Sequence, residues 1–181
     1  MPMIQTDFLG GLPGMKGDRQ SVTADWESLQ PIIDGVIVHQ MRTVLKDDGA
    51  LTELYRDHWE NGGEIRHVFQ EVLLPNSVTA WHIHRETTDR LFVSVGTVKI
   101  VLYDAREGSP TQGLLNVFRF GTARAALVTI PPSIWHGVMN IGSTDAVLLN
   151  LTDKPYEYEN PDHWRLPPNT DQIPYSFHGG F

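Results

Sequence analysis

From Val36 to Thr152 the chain alternates short apolar runs with clusters of turn-forming residues, and the runs have the length and composition of strands. VIVHQMRTVL (36–45) gives way to Lys46-Asp-Asp-Gly49 and then ALTELYR (50–56). Asp-Gly between two such runs predicts a hairpin. EIRHVFQEVLL (64–74) breaks at Pro75-Asn76 before VTAWHIH (78–84), RLFVSV (90–95) and TVKIVLYDAR (97–106). LLNVFRF (114–120), ALVTI (126–130), IWHGVMNIG (134–142) and DAVLLNLT (145–152) complete the series. About ten strands separated by turn signals predict an all-β jelly roll or barrel of two sheets.

The flanks read differently. Residues 1–20 hold four Gly and two Pro without a period and predict an arm that is loose alone or ordered against a partner. Residues 23–30 are open between a short helix capped by Thr23 and a surface turn. After Thr152 the segment is rich in Pro, Tyr and Asn, which excludes regular sheet because each Pro removes a ladder donor. It predicts an extended tail over the domain, with a turn of helix at 161–164. The division is an N-terminal arm over 1–35, a domain over 36–152 and a C-terminal tail over 153–181.

Candidate chemistry gathers in WHIHRETTDRLFVSVG (81–96). His82 and His84 sit two apart in a strand, so their imidazoles share one face. Asp89 opens the next run with the parity of Leu91, Val93 and Val95, Gly96 makes a tight turn, and His136 follows in IPPSIWHGVMN. Two His, a carboxylate and a distant His form a candidate divalent metal set. With no thiolate to bias the choice, Fe, Mn, Ni and Zn all suit it. The competing reading is structural: polar residues in a barrel interior, Asp89 paired with Arg85 or Arg90, and His136 capping the turn after Pro131-Pro132. Trp81 and Trp135 have the opposite parity and read as core or rim. His39, His58, His67, His163 and His178 show no ligand spacing and read as surface residues.

Composition narrows the classes. A chain of 181 residues is long enough for one domain with a full core. It has no Cys, which excludes disulfides and thiolate chemistry. Net charge is −8, from 22 acids against 14 bases, which argues against binding a nucleic-acid backbone. It leaves room for a phosphorylated small molecule, which a few local Arg can hold. No apolar run approaches a membrane span, and the N-terminal stretch lacks the apolar centre of a signal peptide. The expectation is a cytoplasmic protein.

The spacing resembles the two cupin motifs. His82, His84, Asp89 and Gly96 match the first; Pro131, Ser133 in a Gly place, His136 and Asn140 match the second. Within the cupins, residues 36–175 resemble the dTDP-4-dehydrorhamnose 3,5-epimerase family. The matching stretches are GTVKIVLYDAREGSPTQG (96–113), IPPSIWHGVMNIG (130–142), LTDKPYEYENPD (151–162) and DGALTE (48–53). The resemblance implies a cupin double-stranded β-helix, usually dimeric, acting on a nucleotide sugar without a metal. It places the family's base at His82. The family's phosphate-binding Arg falls on Thr79, its Gln on His84, its Lys on Asp89 and its Tyr acid on Asn150. The carboxylate that supports the base falls on Leu166. Glu53 takes the place of a nucleobase contact. Arg106, with Asp104, reads more readily as a structural pair than as a substrate contact.

The changes at 84 and 89 both restore metal ligands. The expected function is therefore a sugar isomerase or epimerase in which His82 is base or ligand and His84, Asp89 and His136 hold a metal. That metal would act as a Lewis acid on an enolate in place of the Lys and Tyr. Asn150, Glu53 and Arg106 are the candidate substrate contacts, the partner is a small sugar or nucleotide sugar, and a homodimer is expected. A metal-dependent cupin dioxygenase and a non-catalytic sugar-binding cupin are the alternatives.

Overall fold

The computed structural model describes residues 12, 15, 17, 20–25, 27–59 and 63–178. Most of the 1–20 arm lies outside these. Two compact units separate at residue 31. In the first, Val22 bridges Ser28 and Thr23 N–H donates to the Glu27 carbonyl at 2.8 Å, so this stretch is a tight turn and not a helix.

Among the described residues, the second unit is built from twelve strands. They are β1 (Ile37–Gln40), β2 (Thr43–Lys46), β3 (Gly49–Thr52), β4 (His67–Leu73), β5 (Val78–Ile83) and β6 (Asp89–Val95). β7 (Thr97–Tyr103), β8 (Leu115–Gly121), β9 (Ala126–Ile130), β10 (Trp135–Asn140), β11 (Ala146–Thr152) and β12 (Trp164–Arg165) follow. One sheet has the order β1-β9-β6-β11-β4 and the other β12-β5-β10-β7-β8, all antiparallel. This is the β-sandwich of a cupin jelly roll. β2 and β3 form the separate Asp-Gly hairpin, with Lys46 opposite Gly49. The run 36–45 splits into β1 and β2, because Met41 N–H turns to the Ala125 carbonyl at the end of the β1–β9 pairing.

Three apolar layers explain why several strands read as continuous apolar runs. Between the sheets, Val98, Ile100 and Leu102 of β7 meet Leu91 and Val93 of β6 and Leu148 of β11. On the outer face of one sheet, Trp81, Val101 and Met139 are covered by Ile173 and Phe177 of the tail. On the outer face of the other, Phe92, Leu127 and Leu151 pack against Leu54, Tyr55 and Ile65. A strand covered on both faces has no polar side to alternate with, and every residue of β9 is buried.

The two motifs now have physical roles. Gly96 has φ +77°, and an added Cβ would lie 2.9 Å from the Ala146 side chain. Ser133, in the motif's Gly place, keeps the left-handed backbone with φ 67°. Asn140 is fully buried and ties two segments, donating to the carbonyls of Leu73 and Thr144 at 2.8 Å each. Asp104, also fully buried, accepts from Arg106, Ser109 and Thr111, and Arg106 Nη2 reaches the Asp34 carbonyl at 2.8 Å. The Ser-Pro-Thr element is therefore a structural knot, which holds Arg106 as the pairing reading expected.

The tail departs from its expectation. It holds no helical turn at 161–164. A tight turn, with His163 N–H on the Pro161 carbonyl at 2.9 Å, leads into β12. Trp164 and Arg165 pair with Ile83 and His82 of β5. Leu166 and Trp81 exchange backbone hydrogen bonds at 2.8 and 3.1 Å. The five residues between Pro161 and Pro167 all keep their backbone N–H, and that is enough to add a short edge strand.

Candidate active site

A cavity of ≈ 780 Å³ is lined by strands of both sheets and by the tail. One wall comes from β4, β6 and β11, with Phe69, Glu71, Asp89 and Asn150. The facing wall comes from β5, β10 and β12, with Thr79, His82, His136 and Arg165. His84, His163 and Tyr156 line it from the loops.

Three of the four proposed ligands converge. His84 Nε2 and His136 Nε2 each lie 3.2 Å from Asp89 Oδ2. The other carboxylate oxygen accepts from Asn150 Nδ2 at 2.8 Å, and Asn150 Oδ1 takes the Arg90 N–H at 3.2 Å. His84 Nδ1 sits against the Asp162 carbonyl and His136 Nδ1 against the Ile134 carbonyl at 3.1 Å. A carbonyl only accepts, so each Nδ1 carries the proton. In the neutral rings both Nε2 atoms are then bare, and two lone pairs face a carboxylate oxygen. Three acceptors pointed at one another require added protons or a cation between them.

The electrostatics agree. Burial alone would push the Asp89 carboxyl up, but the hydrogen bonds and charges of His136 and His84 hold it well below the usual carboxylate range. Burial would lower His84, yet the Asp89 hydrogen bond and charge outweigh it and raise the imidazole, with a further contribution from the Asp162 carbonyl.

His82 lies outside that cluster. Its Nδ1 is 2.9 Å from His163 Nε2 and its Nε2 is 3.0 Å from Thr79 Oγ1. Of the four expected ligands, three converge, while His82 hydrogen-bonds to His163 and stacks on His136 with ring centroids 5.7 Å apart. Burial first, then His136, Arg165, His163 and His84, push His82 down to about 3. Burial and the cations around it take His163 down to about 4. Both rings are neutral at physiological pH.

His163, expected at the surface, is instead the partner of His82, 81 positions away in sequence. The signal was in the Trp164 segment, where the family's supporting group was placed on Leu166. Leu166 instead packs with the outer-face cluster around Trp81. Asp162 fixes this geometry. Its carboxylate accepts from the backbone N–H of Arg85, Glu86 and Thr87 at 2.7, 2.9 and 2.8 Å, and from Thr87 Oγ1 at 2.7 Å. Those bonds hold its carboxyl low despite burial.

Asn150 stands in the cavity, but its amide is spent on Asp89 and Arg90. Glu53 is exposed, pairs with Arg56 and does not line the cavity; Arg106 does not line it either. Trp81 is fully buried, in keeping with its parity. Tyr156 lines the cavity and contacts Tyr158 edge-on at 5.1 Å.

The neutral imidazole pair has a consequence for stability. Unfolded His82 titrates near 6.5 and the folded ring near 3, so below 6.5 the unfolded chain binds more protons. The contribution is fully present above 6.5 and is lost as pH falls toward 3. His84, with a raised value, has the opposite sign, and its contribution is constant below 6.5. In chelator, the melting temperature is expected to fall between pH 6.5 and 4, and a His82→Gln, His163→Gln variant to show a shallower fall; an equal slope in both proteins would refute this.

A jelly-roll cupin with an imidazole-lined cleft is the class this fold and site define. No protein-family model matches the chain. A probable low-salt glycan biosynthesis epimerase, Agl13 of Haloferax volcanii, is 33% identical over 139 residues, covering 76% of this chain and 89% of that protein. The spore coat polysaccharide biosynthesis protein SpsL of Bacillus subtilis is 29% identical over 150 residues, covering 83% of this chain and 99% of that one. The crystal structure of a dTDP sugar isomerase from Desulfovibrio desulfuricans matches with a TM-score of 0.77 at 30% identity, covering 82% of this chain and 94% of that chain. The chain belongs to the dTDP-4-dehydrorhamnose 3,5-epimerase-like family of cupin sugar epimerases. It is an enzyme of the isomerase class. Among the described residues no helix is long and apolar enough to cross a membrane.

Proposed function

We propose that the chain is an epimerase or isomerase of a nucleotide-linked 4-keto sugar, with His82 as the base. The observation that carries the reading is the neutral His82, exposed to the cavity and held between His163 and Thr79. A carbon beside a ketone gives up its proton to a neutral imidazole, and the resulting enolate is reprotonated to give the new isomer. His82 Nδ1–H donates to His163 Nε2, which fixes the ring's orientation and leaves Nε2, beside the Thr79 hydroxyl, with the lone pair that takes the proton.

His84, Asp89 and His136 would hold a divalent transition metal, Fe, Mn, Ni or Zn. Their fit rests on the two bare Nε2 atoms and the carboxylate oxygen that converge among these residues. Adjacent ligands bonded at about 2.1 Å lie about 3 Å apart, close to the spacing found here. When bound, such a cation supplies Lewis-acid charge to an oxyanion. The comparisons favour an epimerase or isomerase over the dioxygenase reading.

The setting proposed is a cytoplasmic homodimer. β4 supports self-association, being a sheet edge that exposes Val68 and Val72.

The test is incubation with a dTDP-linked 4-keto-6-deoxyhexose in D₂O. Deuterium entering the carbon beside the ketone, with formation of a new isomer, is the expected result. No exchange on this or other nucleotide-linked keto sugars would overturn the reading.

A further inference from the structure

Inversion at a carbon beside a ketone needs two groups on opposite faces of the sugar, one to take a proton and one to deliver a proton. His82 stands on the wall of β5 and β12. The facing wall has few groups able to give a proton. Asp89 is an ionised acceptor between two imidazoles, and Asn150 has an amide already committed on both atoms. Leu91 and Leu148 have nothing to give.

Glu71 does. It lies in mid-strand on β4, with its Cα opposite Leu148 of β11, and it lines the cavity. It is half-buried, and its carboxyl has no hydrogen-bond or ion-pair partner among the described residues. His67, on the same strand, sits at its far end, tilted against Phe69 at 5.3 Å. Arg165 lines the same cavity from the side of the base, its Cα paired with that of His82.

We propose that Glu71 is the proton donor that completes the reaction from the wall opposite His82. The inference rests on the keto-sugar reading given above. The carbon–hydrogen bond beside the ketone breaks, its proton goes to His82, and its electron pair becomes the enolate. The Glu71 carboxyl proton then goes to carbon from the other side, leaving a carboxylate. His82 releases its proton to solvent, and Glu71 regains one from solvent, so the cycle is balanced. Burial raises the Glu71 carboxyl, and the opposing charge of Arg165 does not cancel the rise, which favours the protonated acid this role needs.

The experiment compares wild type, Glu71→Gln, Glu71→Asp and His82→Gln on a dTDP-linked 4-keto-6-deoxyhexose in D₂O. Both deuterium entry and new isomer are followed by NMR. Glu71→Gln is expected to keep deuterium entry within about tenfold of wild type while new isomer falls by 10² or more, because His82 can still remove and return a proton. Glu71→Asp should restore part of the isomer formation, and His82→Gln should lose both signals. Melting curves confirm that each variant is folded. Wild-type isomer formation by Glu71→Gln overturns the inference alone. So does loss of deuterium entry together with isomer in a folded Glu71→Gln protein. Absence of exchange in wild type overturns the keto-sugar reading, and the role of Glu71 with it.

Discussion

Replacing His82 by Gln is expected to leave a folded protein whose turnover of a nucleotide-linked keto sugar falls by about 10³-fold, within the 10² to 10⁴ range of general acid–base catalysis. Gln keeps a polar group of similar reach, able to hydrogen-bond Thr79 or His163, so the packing around position 82 is preserved. It lacks a nitrogen lone pair that can accept a proton from carbon. Isomer formation and deuterium entry should therefore fall together. A His163→Gln variant should lose less, since it keeps the base and disturbs only its orientation through the contact at 2.9 Å. Wild-type exchange in His82→Gln would place the base elsewhere, and the cavity's remaining imidazoles would become the candidates.

The second large effect is metal content. Protein purified without chelator, or reconstituted with Fe, Mn, Ni or Zn, is expected to hold about one divalent ion per chain, and a His84→Gln, Asp89→Lys double variant to hold none. The double variant is chosen for its charge. Asp89 is 2% exposed and two bare Nε2 atoms face it. Removing the carboxylate alone leaves an imidazole lone pair buried without a partner, at a cost of about 1–3 kcal/mol. A Lys at 89 supplies an ammonium that can donate to the His136 Nε2, so a cation of the protein's own stands where the metal would. Elemental analysis is the primary readout. Metal added at about 1,000 times its Kd should also stabilise wild type by about 4 kcal/mol and leave the double variant's melting temperature unchanged. Failure of all four metals to bind wild type would refute the site. The convergence of acceptors at Asp89 would then be satisfied by protonated imidazoles.

The strand pattern was legible because it is local. Period-two alternation, Gly96, the Asp-Gly hairpin and the Pro75-Asn76 break each act over a few residues. β9 was visible as the short strand run ALVTI. The break between β1 and β2 was not, because it depends on where Met41 finds a backbone partner on a distant strand. The helical turn expected at 161–164 failed for the same reason: the pairing of Trp164 and Arg165 with β5 outweighs a weak local preference.

The site divides along the same line. Sequence alone singled out the candidate side chains along β5, β6 and β10. Parity fixes the direction of each residue relative to its own strand, so His84, Asp89 and His136 could be expected to face inward. Only the tertiary structure decided which of them meet. The order β12-β5-β10 sets His82 opposite His136, while the tail brings His163 onto the His82 Nδ1, so His82 stands beside the other three without joining them. The order β6-β11-β4 puts Glu71 on the wall across from it. Sheet order is set by which strand faces bury the most apolar surface between the layers, a property of the whole chain that no local spacing records.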